Sequence, residues 1–317
     1  MPVVFLIVAC ALWGLSFPIV KALDYEQSAR LGDIPDIFLS VWLQMARFAL
    51  AAVLMVPFLL HRRPTAREIQ QAAWLAVWGG IGMAFQAWGL TRTEASTSAF
   101  LTQAYCVFLP LIACFRTKSA PSMRTVLATL MVIAGGAILS GIGPGTLKIG
   151  EGELATLAGA FIFTFQILTL ENPKYECNRG LVVTFAMCVW IAVIFLPLSL
   201  LAAPHPRMVI EAGASWPAFI LIFALALLCS VGAYGLMNCW QPRVSATEAG
   251  LIYTTEPVFT AGFVMFLPAL LGRMVGHPYP NETLTFSLIS GGSLILAANI
   301  LMQWKRPPHP PAIAPAP

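Results

Sequence analysis

The chain has 317 residues, of which 58% are hydrophobic and only 10% charged, with a mean hydropathy of +0.80. That balance excludes an ordinary soluble domain and describes a membrane protein; no nucleic-acid partner is expected of it. About 20 apolar residues cross a hydrocarbon core ~30 Å thick, so roughly ten crossings would use two thirds of the chain and leave little for a soluble domain.

The first apolar run, 3–20, contains Ile7-Val-Ala-Cys10, which resembles a lipoprotein cleavage box. No Lys or Arg precedes it and no polar mature domain follows, so a retained helix is expected. Further runs bounded by charges or Gly/Pro clusters fall at about 37–60, 72–90, 95–115, 125–141, 153–170, 181–203, 216–240, 244–271 and 284–304. Ten spans are therefore predicted. The first loop, with Asp24, Glu26, Asp33 and Asp36 interleaved with Lys21 and Arg30, reads as solvated. Beyond Trp304 the chain becomes Lys-Arg-Pro-Pro-His-Pro-Pro and on to Pro317, a proline-rich, disordered tail over 305–317.

The connecting loops are short, so their Lys/Arg content predicts orientation. With the N-terminus inside, eleven basic residues fall in inner loops and six in outer ones, and Arg47 lies within the second span, which accounts for all eighteen. Both termini are expected to be cytoplasmic, in a cell inner membrane. The seven cysteines (Cys10, Cys106, Cys114, Cys177, Cys188, Cys229 and Cys239) are an odd count without a C-x-x-C pair and read as small apolar fillers. His61, His205, His277 and His309 all fall in loops or the tail, and no Gly-x-x-x-x-Gly-Lys-Ser/Thr loop is present. An intramembrane histidine relay, a metal, a nucleotide or any other cofactor is not expected.

The halves repeat one another. Ala11–Phe17 aligns with Ala160–Gln166, Ser96–Leu101 with Ala246–Leu251, and Ile133-Ala-Gly-Gly-Ala-Ile-Leu139 with Ile289-Ser-Gly-Gly-Ser-Leu-Ile295. Five spans per half is an odd number, so the second half (151–304) would enter the membrane upside down relative to the first (1–150). The expected fold is all-α: ten transmembrane helices in two inverted five-helix repeats.

Trp13-Gly14, Arg47 followed by small residues, Thr97-Ser-Ala-Phe-Leu…Pro110, Ala246-Thr-Glu-Ala…Glu256-Pro-Val-Phe259 and Glu282-Thr-Leu-Thr…Gly291-Gly carry a resemblance. Over all ten spans the chain resembles the EamA-type permeases of the drug/metabolite transporter superfamily. The resemblance implies two five-helix repeats around a central cavity, alternating access and export of a small solute such as an amino acid or amine, often coupled to an ion gradient. The loop Leu270–Pro280 before Glu282 is longer than the tight turn usual in that family.

The sharpest local anomaly is Glu256-Pro257 inside the ninth span. At 1.5 Å per residue Glu256 lies about 18 Å deep, near the midplane, where a carboxylate costs roughly 2.5–3.5 kcal/mol. Pro257 has no N–H for the carbonyl of Tyr253. Ala249, Tyr253, Glu256 and Thr260 share one helical face. The acid reads as a proton site, an anchor for a substrate amine, or a structural acid bonded to a neighbouring helix; protons are the candidate coupling ion. Glu248, shallower, reads as a gate or interface residue. Arg47, about 15 Å deep, has three readings: an ion pair with Glu256, a ligand for a substrate carboxylate, or a snorkelling side chain.

Gly79, Gly82 and Gly89 form a close-packing face on the third span, with Gln86 a cavity donor. Trp13, Gln103, Tyr105, Gln166, Tyr234 and Asn238 are further polar or amphipathic candidates for a pocket wall. Pro110 is the first half's counterpart of Pro257, and paired interruptions point to a transporter's binding region. A secondary transporter is the leading reading, with no enzymatic activity. The rival is a membrane enzyme or binding protein for a lipid-linked substrate, which would want clustered loop acids or basic patches.

Overall fold

A computed structural model describes residues 1–32, 34–59, 63–118, 120–139, 150–244, 249 and 252–303. Glu248, most of the Ala246–Leu251 repeat match and the proline-rich tail lie outside the described residues. Among the described residues the fold is all-helical. Among the described residues, six helices are long and apolar enough to cross a membrane, seven if one bent pair counts as a single span.

Helix α1 runs Pro2–Leu31, α2 Asp36–Leu59 and α3 Ala66–Leu90. The fourth predicted span is α4, Ala95–Thr102, followed by α5, Tyr105–Thr117. Next come α6, Met123–Leu139, α7, Glu151–Leu170, and α8, Gly180–Ala202. After the short α9, Met208–Glu211, the eighth span is α10, Trp216–Ala224, a ten-residue π-helical segment Leu225–Tyr234, and α11, Gly235–Trp240. On the ninth predicted span fall α12, Glu256–Val264, and α13, Leu267–Val275, bent from each other by 60°. The last is α14, Phe286–Gln303.

Two sequence expectations need correction. Helix α1 continues eleven residues past the predicted end, so the first loop is mostly helix: Lys21, Glu26 and Gln27 are buried, not solvated. Their partners explain this. Lys21 Nζ donates to Thr93 O (2.7 Å), Gln27 Nε2 to Ala212 O (2.9 Å), and Glu26 accepts from Arg30 (2.7 Å) and Ser215 (2.5 Å). The long loop before Glu282 is likewise helical as far as Val275, because Pro268 sits in the first turn of α13, where no N–H is needed.

The bundle is knit by α3 against α7, α2 against α8, α6 against α14, and α1 against α12 and the π-helical segment. Large apolar side chains such as Leu130 and Ile133 on α6 are 57% and 63% exposed, a surface that only lipid would cover. The chain is a multi-pass membrane protein. Helices α6 and α14 meet at Gly135 and Gly291, where a methyl group on either would come within 2.7 Å of the other's carbonyl oxygen. Gly135→Ala and Gly291→Ala should therefore each cost about 1–3 kcal/mol by forcing the helices apart. Thermal unfolding in detergent measures this, and unchanged melting in both variants would refute the close approach.

Candidate functional site

A cavity of about 80 Å³ lies between the helices, room for about six waters. Its wall includes Trp13 and Ser16 from α1, Arg47 from α2, Met83 and Gln86 from α3, Thr102 and Tyr105 from the fourth span, Gln166 from α7, Tyr234, Tyr253 and Glu256. Sequence order thus scatters the wall over most of the chain. Two helix breaks bring it together. Between α4 and α5, Gln103 and Ala104 tighten into i→i−3 bonds, Gln103 N to Phe100 O (3.1 Å) and Ala104 N to Leu101 O (3.0 Å). Ahead of α12 the same happens at Thr254-Thr255, with Thr255 N bonded to Ile252 O at 3.0 Å.

The expectation of a proline-disrupted continuous helix at Glu256 is corrected by this break. Pro257 occupies the first turn of α12, where its missing N–H costs nothing, and Glu256 sits at the N-terminal end of the half-helix, the end that favours a negative charge. Across the gap Gln103 Nε2 faces Glu256 Oε2 at 3.5 Å, and Tyr105 OH donates to Gln103 Oε1 at 3.1 Å. A hydrogen-bonded chain therefore joins one break to the other. Pro110 lies within α5, past the break, so the interruption in the first half is at Gln103-Ala104 and not at the proline.

Arg47 is 5% exposed and lines the same cavity, yet it does not pair with Glu256. Its Nε donates to Ser230 Oγ at 2.7 Å, and its guanidinium lies 5.0 Å from the Phe48 ring centroid. Each side chain has a neutral partner elsewhere in the bundle, so of the three readings of Arg47 the ion pair with Glu256 fails on direction. The double change Arg47→Leu with Glu256→Leu should then alter stability additively within about 0.5 kcal/mol. A chemical-denaturation cycle showing clear rescue in the double variant would restore the ion pair.

The remaining candidates divide. Gln86 donates to Thr102 Oγ1 (2.8 Å) in the wall, and Tyr253 OH donates to Gln241 Oε1 (2.6 Å). Trp13 packs edge-on to Tyr234 and Tyr253 while its Nε1, like Gln166 Nε2, is buried without a hydrogen-bond partner. Thr260 turns back to Glu256 O (3.1 Å) and Asn238 binds Thr184 (2.9 Å), so neither faces the cavity. The glycines of α3 fit a packing role: a methyl at Gly79 would strike Gln166 at 2.6 Å and one at Gly82 would strike Phe163 at 2.7 Å. Residues missed in the sequence are Met83, Thr102, Phe163, Ile167 and Met237 in the wall, and Ser230, which holds Arg47. Of these only Ser230, a hydroxyl in an apolar run, carried a visible signal.

A wall drawn from α1 through α5 on one side holds Trp13, Arg47, Gln86 and Tyr105, all within a stretch that has known relatives. Residues 1–141 match the EamA-like transporter family. The resemblance read from the motifs is thereby met in the half that contributes those residues. Beyond this EamA-like half, a protein of Archaeoglobus fulgidus described as an uncharacterized transporter is 24% identical over 292 residues, covering 92% of this chain and 82% of that protein. A solved crystal structure at 16% identity covers 92% of this chain and 95% of its own with a TM-score of 0.51, a likeness of fold.

Proposed function

We propose that this protein is a secondary transporter of ten spans in two inverted five-helix repeats. It moves a small metabolite, such as an amino acid or amine, through the Glu256 cavity by alternating access, as an exporter coupled to an ion gradient. The observation that carries the reading is the meeting of two helix breaks, Gln103-Ala104 and Thr254-Thr255, beside a cavity in a membrane bundle whose wall includes Glu256, Arg47 and Gln86. Irregular backbone at membrane depth is tolerated where it lines a cavity, and broken helices at a repeat interface are where transporters bind solute and coupling ion.

Internal symmetry supports the repeat. Thr65 and Ser215, 150 residues apart, are both side-chain N-caps, of α3 and α10. The breaks recur at nearly the same separation, and Gly135 faces Gly291 reciprocally. Exchanging the halves turns the α3–α7 contact into that of α1 with the eighth span, and α1–α12 into α4–α7, all of which exist. The basic-residue bias favours cytoplasmic termini in an inner membrane, with the Glu68 end of the bundle inside and the Glu282 end outside.

The name of the Archaeoglobus relative agrees with transport, and the lipid-linked enzyme is the reading it has to displace. Purified protein in liposomes, given amino acids and amines with and without an imposed pH gradient, separates them. Gradient-dependent flux above that of protein-free vesicles is expected. Flux that ignores the gradient would remove coupling, and no flux of any solute would remove the transporter.

A further inference from the structure

The cavity beside the two helix breaks is lined by one buried cation and one buried acid that do not pair. Arg47 and Glu256 are 5% and 8% exposed, and among the described residues neither has an oppositely charged partner. Arg47 commits its Nε–H to Ser230, and its terminal nitrogens have no acceptor among the described residues. The Glu256 carboxyl group has only the Gln103 amide. Ionisable groups inside a membrane ordinarily pair with one another or with backbone carbonyls, yet here no side chain supplies a counter-charge to either.

Two further donors stand open on the same wall. Trp13 Nε1 and Gln166 Nε2 are buried without an acceptor, although buried polar groups are nearly always satisfied. Gln166 is 6% exposed, and its amide occupies space that a methyl group at Gly79 would fill, 2.6 Å from Nε2. Tyr234 is a neighbour common to Trp13, Gln166 and Arg47, so the open donors gather around the guanidinium. The Tyr234 hydroxyl itself is turned to Met83 Sδ at 3.2 Å. Trp13 also packs edge-on to Tyr253, just ahead of Glu256. The cavity therefore has a donor-rich side at Arg47 and an acid at Glu256, with the Trp13 ring packed on a tyrosine of each.

We propose that this arrangement takes a small zwitterion, its carboxylate held by Arg47, Trp13 and Gln166 and its ammonium by Glu256. The inference rests on the reading of this cavity as the solute site and narrows the solute, because a simple amine meets only half of the wall. Size follows from the volume. Space of about 80 Å³, enough for about six waters, admits a molecule of about six non-hydrogen atoms. Selectivity follows from desolvation. A ligand with one charge displaces water from both Arg47 and Glu256 but answers only one of them, and a buried charge left without a partner is strongly unfavourable.

Alanine, alaninamide and lactate are alike in size and differ in charge: alaninamide lacks the carboxylate and lactate the ammonium. Ligand-dependent melting of the purified full-length protein in detergent gives an apparent Kd for each. Alanine should bind at least about tenfold more tightly than either analogue, the worth of one charge-assisted contact. Arg47→Gln should equalise alanine and alaninamide while alanine stays ahead of lactate, and Glu256→Gln should equalise alanine and lactate while alanine stays ahead of alaninamide. A merely structural role would weaken all three ligands alike. The ranking in the native protein needs no variant, so misfolding of either one leaves it decisive. Alaninamide or lactate binding as tightly as alanine, or no stabilisation by alanine, overturns the zwitterion site. Flux of another solute in liposomes without alanine binding removes this inference alone, whereas alanine binding without flux of any solute keeps the site and removes the transporter.

Discussion

Glu256→Gln is expected to reduce gradient-driven flux to the level of protein-free liposomes while the protein still inserts and folds. The amide is nearly isosteric and can still meet Gln103 across the break, where the carboxylate oxygen now lies 3.5 Å from the amide nitrogen. What it loses is the ability to take up and release a proton. Removing an ionisable group from membrane depth does not by itself destabilise the bundle, since such groups are costly there. Equilibrium exchange without a gradient divides the two functional roles. Exchange that persists in Glu256→Gln identifies a coupling residue, and exchange lost along with the gradient-driven flux identifies an anchor for the substrate. If gradient-driven flux and its pH dependence both survive, Glu256 carries neither role and the acid is structural.

The proline signal that led to Glu256 was legible, but its meaning was only half legible. Pro257 cannot serve a residue four positions back, so the sequence required an irregularity there; the chain meets it by starting a new half-helix. Pro110 obeys the same rule yet is absorbed inside α5. The first-half break falls at Gln103-Ala104, which no helix-breaking residue marks, and its Gln103 bonds to an acid 153 residues away. Depth along a helix follows from counting residues, which is why Arg47 and Glu256 were both placed near the midplane. Direction around the bundle does not, because it depends on which helices become neighbours. Depth alone therefore left a pair with Glu256 among the readings of Arg47, whose actual partner is Ser230. The π-helical turn that presents Ser230 and Tyr234 likewise has no proline or glycine pair at its start to announce it.

Polar contacts tie the bundle together at both of its ends. At one end Arg92, Asp36, Lys21, Glu94 and Glu282 join the first half to the segment before α14. At the other, Glu68 joins α3 to α8. Each end ties elements from both halves of the chain, so a conformation open on one side requires only one set to part. The alternating access proposed above would need that asymmetry.

Glu68→Ala should cost roughly 2–4 kcal/mol of stability, the largest loss expected from any single side chain at either end. Glu68 is 2% exposed and forms a capping box, accepting from Thr65 N at 2.7 Å while its own N–H donates to Thr65 Oγ1 at 3.3 Å. It also accepts from Arg179 three times, from the backbone N–H (3.0 Å), Nε (2.8 Å) and a terminal guanidinium nitrogen (2.9 Å). Arg179 is 44% exposed, so solvent screens its charge, and the loss comes mainly from the cap and the stranded donors. The hydrogen bonds from Arg179 hold the Glu68 carboxyl down to about 2, below its ordinary range. A depressed carboxyl contributes its full stability above the ordinary value and loses it as pH falls toward the depressed one. Native protein should therefore melt at progressively lower temperature as pH drops from about 4.5 toward 2, and Glu68→Gln should melt lower at neutral pH but show a shallower acid slope. Tryptophan-fluorescence melts in detergent measure both quantities. Equal acid slopes in the two proteins would assign the sensitivity to other carboxyls and leave Glu68 as a cap alone.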